Sequence, residues 1–348
     1  VSNFLTLALK VVIAGNDVTS RFRPRLLSIS ISKASKRSAH TCEMTLADVD
    51  GGLLLPSDGD EVQVSLGQSG FAAGLAFTGA VNNVESSGGR GGRRLSINAA
   101  SSDQKSKVKQ PVLRHKDKGK FQDTAKEWGK KAGLDVTVIG ELADVERDYW
   151  SMQHESFQQW GQRIAEELGA TFQIVGKRAA FAPRNDGKSA SGKPLTPITA
   201  AWGSGGNLLQ WKISSADSRP QFKEVKARYF DRKTGQWKQS SAEIESSGSE
   251  ALLNIQIPYA DEKSAKAKAS SSARESKRSK GGGSITIIGN ASAEPEATCT
   301  VSGARPGIDG EYIIDQVEHS VSRSDGWETK LTLKLPSGSA GKDSRAKR

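Results

Sequence analysis

The sequence predicts a mainly β protein with an α+β insert: two strand-rich antiparallel blocks separated by a small α/β domain of two helix–strand units. Three observations carry this. Apolar residues alternate with period two over 1–104 and again over much of 185–336. Between the two blocks the spacing becomes helical, and turn residues fall where the alternation stops. At 348 residues the chain is long enough for two or three domains, each burying its own core.

In the first block, the opening VSNFLTLALKVVIAG alternates Leu5, Leu7, Leu9, Val11 and Ile13 with Thr6, Ala8 and Lys10. It has no basic flank, so it reads as a strand rather than a signal peptide. LLSISISK places Leu27, Ile29 and Ile31 on one face, HTCEMTLADV does the same with Cys42, Met44 and Leu46, and EVQVSLG with Val62, Val64 and Leu66. Two more strands, GLAFTGAVNNVESS and RRLSINAA, flank SSGGRGGRRLS, which reads as a hairpin tip with its arginines facing water. Six or seven short strands in a hundred residues make a barrel or a sandwich.

The middle block, 105–184, carries one pattern twice. Phe121, Ala125, Trp128 and Ala132 recur at helical spacing, stop at Gly133 and lead into a strand through Val136 and Val138. Phe157, Trp160, Ile164 and Leu168 repeat this, stop at Gly169 and lead into Phe172 and Ile174. A glycine just past the last turn is the expected left-handed helix cap, and the aromatic residues are core. Ser151 and Glu155 are expected at the start of the second helix, beside His154.

The last block, 185–336, resumes as strands: FKEVKARYFD and GQWKQS across an RKTG turn, then LLNIQIPY, SITIIGN, ATCTVSG and the hairpin GEYIIDQVEHSVSRSDGWETKLTLKL. A Lys/Ser/Ala tract at about 261–280 interrupts them. Ala265, Ala269 and Ala273 recur every fourth residue, acids lead and bases close, so a solvated helix with a thin alanine stripe is expected. In the final hairpin His319 shares a face with Ile313, Val317 and Val321. Trp327, Thr329, Leu331, Leu333 and Leu335 face it across the turn, so His319 is expected to pack beside Trp327 as a structural residue. Residues 337–348 form a flexible basic tail.

The 50 Lys and Arg against 39 Asp and Glu give a formal charge of +11, spread along the chain rather than clustered. A basic nucleic-acid-binding protein is therefore the alternative reading, although the glycine–arginine repeat occurs once and has no interleaved aromatics. Cys42 and Cys299 stand far apart without CxxC or neighbouring histidine and read as buried thiols. There is no GxSxG, HExxH, Walker loop or strand-to-helix GxGxxG. The sequence predicts no enzyme, no catalytic, cofactor-binding or metal-binding residues, no cofactor and no membrane anchor.

The segments GNDVTSRFRPRLLSISISKAS, CEMTLADVDGGLLLPSDGDEVQVSLG, FTGAVNNVESSGG with RRLSINAAS, EWGKKAGLDVTV, HESFQQWGQRIAEELGATFQIVGKRAAFAPR and GEYIIDQVEHSVSRSDGWETKLTLK resemble, in that order, the phage late-control D family. These are hub proteins of contractile-tail baseplates, related to the N-terminal region of type VI secretion spike proteins and to tailocin hubs. The resemblance covers about residues 5–335. It implies two tube-protein-like antiparallel β-barrel domains, 1–104 and 185–336, around the α/β domain at 105–184. It also implies a homotrimeric ring adapting the sixfold tail tube to the threefold spike in a phage or tailocin particle. Its expected partners are a trimeric spike protein below, tail tube or tube-initiator proteins above and other baseplate proteins, with no specific nucleic acid. No β-helical repeat and no lysozyme-like segment is present, so spike and hydrolase are expected on other chains.

Overall fold

The computed structural model describes residues 7–68, 73–102, 107–184, 187, 189, 193–214, 222–244, 250–278, 281–337, 340 and 345, with backbone alone at 335–337. Leu5, Leu335 as a side chain, and most of the basic tail fall outside them. In the first block β1 (Leu7–Ile13), β2 (Asn16–Asp17), a one-turn helix α1 (Thr19–Phe22), β3 (Leu26–Ala34), β4 (Thr41–Ala47), β5 (Glu61–Gln68), β6 (Gly74–Gly89) and β7 (Gly92–Ala100) follow one another. The alternation buries Leu9, Val11, Met44, Val64, Leu66 and Ile97 in one core.

β6 turns a corner. Its first half pairs with β5 up to Glu61↔Ala80, and its second half pairs with β7 from Ala80↔Ala100 to Gly89↔Gly92. At the corner a Cβ on Gly79 would lie 2.3 Å from the Ala100 carbonyl oxygen, so the crossing requires glycine. The glycine–arginine segment is the hairpin tip at the end of this long pair.

The middle unit contains β8 (Val112–Lys120), α2 (Phe121–Lys131), β9 (Asp135–Val138), β10 (Glu146–Glu155), α3 (Phe157–Leu168), β11 (Ala170–Val175) and β12 (Arg178–Pro183). Its core is aromatic. Phe121 meets Phe181 edge-on at 4.8 Å, Trp128 meets Trp160 at 5.0 Å, and Phe172 stacks on Phe181 at 4.4 Å. Gly169 caps α3 at φ 69°, and Gly133 after α2 is also left-handed at φ 83°. The start of α3 differs from expectation. Ser156 is the cap, in a reciprocal capping box with Gln159, while Ser151 lies within β10 and Glu155 pairs with Arg163.

The last block comprises β13 (Ile198–Ala201), β14 (Leu208–Ser214), β15 (Glu224–Asp231), β16 (Gln236–Glu243), β17 (Leu252–Tyr259), α4 (Glu262–Arg278), β18 (Gly282–Ile288), β19 (Thr298–Ser302), β20 (Gly310–Ser322) and β21 (Gly326–Ser337). The expected helix is present as α4 over Glu262–Arg278, but it is not a solvated helix. Ala265, Ala269 and Ala273 pack with Val225, Ala227, Tyr229 and Ile244 against the separate sheet β16–β15–β17. The insertion into the last block therefore runs from β15 through α4 and owns a core. Small alanines are what let the helix approach that sheet closely.

The two β blocks are joined. β20 pairs antiparallel with β3 from Ser28↔Ser322 to Ala34↔Gln316. This produces one 13-stranded sheet in the order β14-β18-β21-β20-β3-β4-β7-β6-β5-β1-β2, with β19 on β20 and β13 parallel to β19.

Two β-bulges alter the predicted faces. In β3 a register shift between Leu26 and Ser28 turns Leu26 inward in place of Leu27. In β20 a shift between Ile314 and Gln316 buries Tyr312 and Ile314 in place of Ile313.

The packed helix yields a contrast in stability. Ala269→Leu should destabilise the protein by about 1–3 kcal/mol by overfilling the helix–sheet contact. Lys266→Leu, one turn away on the exposed side, should stay within about 0.5 kcal/mol in the same denaturant titration.

Candidate functional site

Because β3, β4, β7 and β20 lie antiparallel side by side, their ends gather on two rims of the sheet. On one rim lie the start of β3, the loop 48–60 after β4, the β6–β7 tip and the turn between β20 and β21. Arg323 from that turn donates to the carbonyls of Leu26 at 2.8 Å and Pro24 at 2.6 Å. Arg25 clasps Asp50 through two hydrogen bonds of 2.6 and 2.9 Å, and this fork holds the Asp50 carboxyl well below the usual carboxylate range. The Asp48 backbone N–H donates to the Arg93 carbonyl, tying the loop to the hairpin.

A loop so held carries Val49, Leu54 and Leu55 at 78, 81 and 60% exposure. Arg90, Arg93 and Arg94 are exposed alongside. Apolar tips on a constrained loop beside cationic side chains form a surface suited to docking another protein.

The opposite rim is occupied. The Ile174 N–H donates to the Ser38 carbonyl at 2.7 Å, the Gly176 N–H to Ser101 at 2.8 Å, and Ser101 Oγ to the Ile174 carbonyl at 2.7 Å, so the middle unit hangs from the ends of β3 and β7. Beside them runs an ionic network, buried at Arg278 and Glu296 and opening to solvent at Lys36. Arg278 at the end of α4 makes two hydrogen bonds to Glu296, at 3.0 and 2.8 Å. Asp315 lies 3.5 Å from Arg278 and 2.9 Å from Lys334. Glu275 is shared by Lys36 at 2.6 Å, Arg184 at 3.3 Å and Lys334 at 3.6 Å. Burial alone would raise the carboxyls of Glu275 and Asp315. The facing cations, Lys36 first for Glu275 and Lys334 first for Asp315, outweigh it and hold both below their ordinary values.

His319 is fully buried. Its Nδ1 lies 3.0 Å from Thr329 Oγ1, and Thr329 Oγ1 itself accepts from the Asn290 N–H. The Thr329 hydroxyl thereby bridges the ring and the backbone that follows β18. Burial first, and then the charge of Lys33, depress its pKa to about 3. Its cross-strand partner is Thr329, with the Trp327 ring diagonal to it at 6.4 Å. Glu155 is engaged by Arg163, and the neighbouring His154 stands at φ 54° at the end of β10.

Cys42 and Cys299 are free, buried thiols, both pushed up by burial, Cys299 to about 12. Among the described residues there is no group of three or more His, Cys, Asp or Glu placed to hold a metal ion, and no helix is long and apolar enough to cross a membrane. The sequence reading missed the rim leucines and the ionic network. The unalternating run Leu53–Leu54–Leu55 between two turns was the available signal for the leucines.

No protein-family model matches the sequence. The chain is 24% identical over 369 residues to a probable baseplate hub protein of Escherichia phage 186, covering 94% of this chain and 92% of the relative. It superimposes on the tail protein from Neisseria meningitidis MC58 with a TM-score of 0.70 at 16% identity, covering 97% and 99% of the two chains. The E. coli c3393 protein, a component of the type VI secretion system, matches with a TM-score of 0.53 at 10% identity, covering 95% of this chain and 77% of that one. The two structural likenesses are likenesses of fold. The family resemblance read from the sequence is borne out along nearly the whole chain.

The network makes stability acid-sensitive. Carboxyls whose folded pKa lies below the unfolded value contribute stability that is complete above about pH 4.5 and falls as pH drops further. Asp315→Asn should lower stability at pH 7 and flatten that acid limb. Urea titrations between pH 3 and 7 would show it, and parallel pH curves for the two proteins would contradict it.

Proposed function

We propose that the chain is a structural baseplate hub of a contractile tail, working as a homotrimeric ring in the virion or tailocin particle. The observation that carries this reading is the β3–β20 seam, by which one chain holds two strand blocks side by side in a single sheet with one rim left open. Three such chains present six similar blocks on one face and three-fold symmetry on the other. A sixfold tube and a threefold spike require that combination of an adapter between them.

The open rim, with Val49, Leu54, Leu55 and its arginines, is the face assigned to tube or tube-initiator proteins. The trimeric spike belongs at the opposite end of the channel, with other baseplate proteins at the periphery. β14 closes one end of the sheet, and no described strand pairs with its outer side, which leaves an edge for a neighbouring protomer to cover. Interfaces in such a ring should bury more than the ~1,600 Å² of a standard stable complex. The role is mechanical: it calls for rigid, self-complementary surfaces and for no reacting groups.

Electron cryomicroscopy of the native particle, or of the chain co-expressed with its spike, should show three copies around the tail axis. Six copies, or a location outside the tail, would sink the reading. Within the same particle, Leu54→Asp together with Leu55→Asp should leave the hub folded and block tube growth, read as tails lacking tubes in negative-stain images.

A further inference from the structure

The sheet β16–β15–β17 uses one face to cover α4, and nothing among the described residues covers the other. At the β15–β16 turn, that outer face carries a connected patch. Phe230 and Trp237 are register partners whose rings meet edge-on at 5.3 Å. The Arg228 guanidinium lies 5.6 Å from the Trp237 ring centroid and donates to the Gln256 carbonyl at 3.3 Å, which brings it beside the bulged, exposed Ile257. Trp237 is 61% exposed and Ile257 70%. Trp, Phe, Arg and Ile gathered in this way have the composition of an interface centre rather than of a solvated sheet face.

The charge around the patch selects its occupant. Asp231 is engaged locally by Lys238 and Thr234, at 2.6 and 2.9 Å. Arg228, Arg232 and Lys233 have no ion-pair partner among the described residues, and all three are exposed. The outward acids Glu224 and Glu243 face each other at the far end of the strand pair. The patch is therefore cationic around an aromatic centre.

We propose that this face is a docking site for an extended, Asp/Glu-rich segment of a different baseplate polypeptide, one that seats apolar side chains on Phe230, Trp237 and Ile257 while its carboxylates meet Arg228, Arg232 and Lys233. Complementary charge would steer the encounter, and desolvated aromatic contact would hold it. The site belongs to the insertion rather than to the sheet that joins the two β blocks, so it extends the hub's contacts to a partner other than tube or spike. It rests on the hub reading only in requiring that the chain be part of the particle.

The test places a photocrosslinking amino acid at Gln239, the register partner of Arg228, in the full-length chain, and irradiates assembled particles. The expected product joins the hub to an acidic segment of a non-hub polypeptide, identified by mass spectrometry. Arg228→Glu and Trp237→Ser should each reduce that product at least about tenfold, with Trp237→Phe retaining most of it and hub content per particle unchanged. Crosslinks only to a second copy of this chain, only to nucleic acid, or none at all with the hub present in the particle would overturn the proposal and leave the hub reading standing. Absence of the chain from particles would overturn both. Should a variant fail to fold, the product of the crosslinker-bearing chain decides alone.

Discussion

The pairing of β3 with β20 is the constraint on which the rest of the architecture depends. It joins residues near the two ends of the sequence, so the chain must close a very long loop before any of those hydrogen bonds can form. Everything between them, the middle unit and the β15–α4 insertion included, is hung from a sheet whose two halves are already in register. On β3 serine alternates with isoleucine, and β20 sets Val317, His319 and Val321 on the same face as Ile29 and Ile31, so the hydrogen-bonded ladder also buries one face along the seam. One face makes the core and the ladder makes the join.

The insertions do not lie loosely on that frame. Glu275 and Arg278, both on α4, reach Lys36 near the end of β3, Asp315 on β20 and Lys334 on β21, which places the network across the end of the seam itself. A buried network of this kind contributes little net stability, because desolvation consumes most of the Coulombic gain. Its effect is on geometry, since any displacement of α4 against the sheet strands a buried charge. Arg278 and Glu296, bound through both oxygens, make the least forgiving pair.

Much of this was legible in the sequence, and the reasons for the rest are physical. Period-two alternation located β1, β4, β5, β15 and β21 because one face of each is buried and the other is not. Gly133 and Gly169 marked helix ends because only a left-handed residue fits there. The faces of Leu26 and of Tyr312 were not legible, since a bulge is defined by a strand's partner and not by its own residues. The sequence marks α4 as a helix but not as a packed one, because three alanines in a Lys/Ser background bury too little surface to announce a core. The seam joins residues hundreds of positions apart, and the network joins side chains from separate elements, so a single sequence carries no local sign of either.

The two rims differ in what covers them, and the difference is one of burial. Large apolar side chains left in water on a folded chain mean that a cover is missing. Here Val49, Leu54 and Leu55 sit at the rim where, among the described residues, no other unit docks, while the rim bearing the middle unit carries matched charges and satisfied backbone groups. The strands between run from one rim to the other, about 3.3 Å per residue, with their hydrogen bonds perpendicular to that direction. A force applied to the open rim along the strands therefore loads many ladder bonds together in shear rather than opening them one at a time. On the proposed hub reading, contacts at the strand ends, where Val49, Leu54 and Leu55 stand, would load the sheet in that resistant direction.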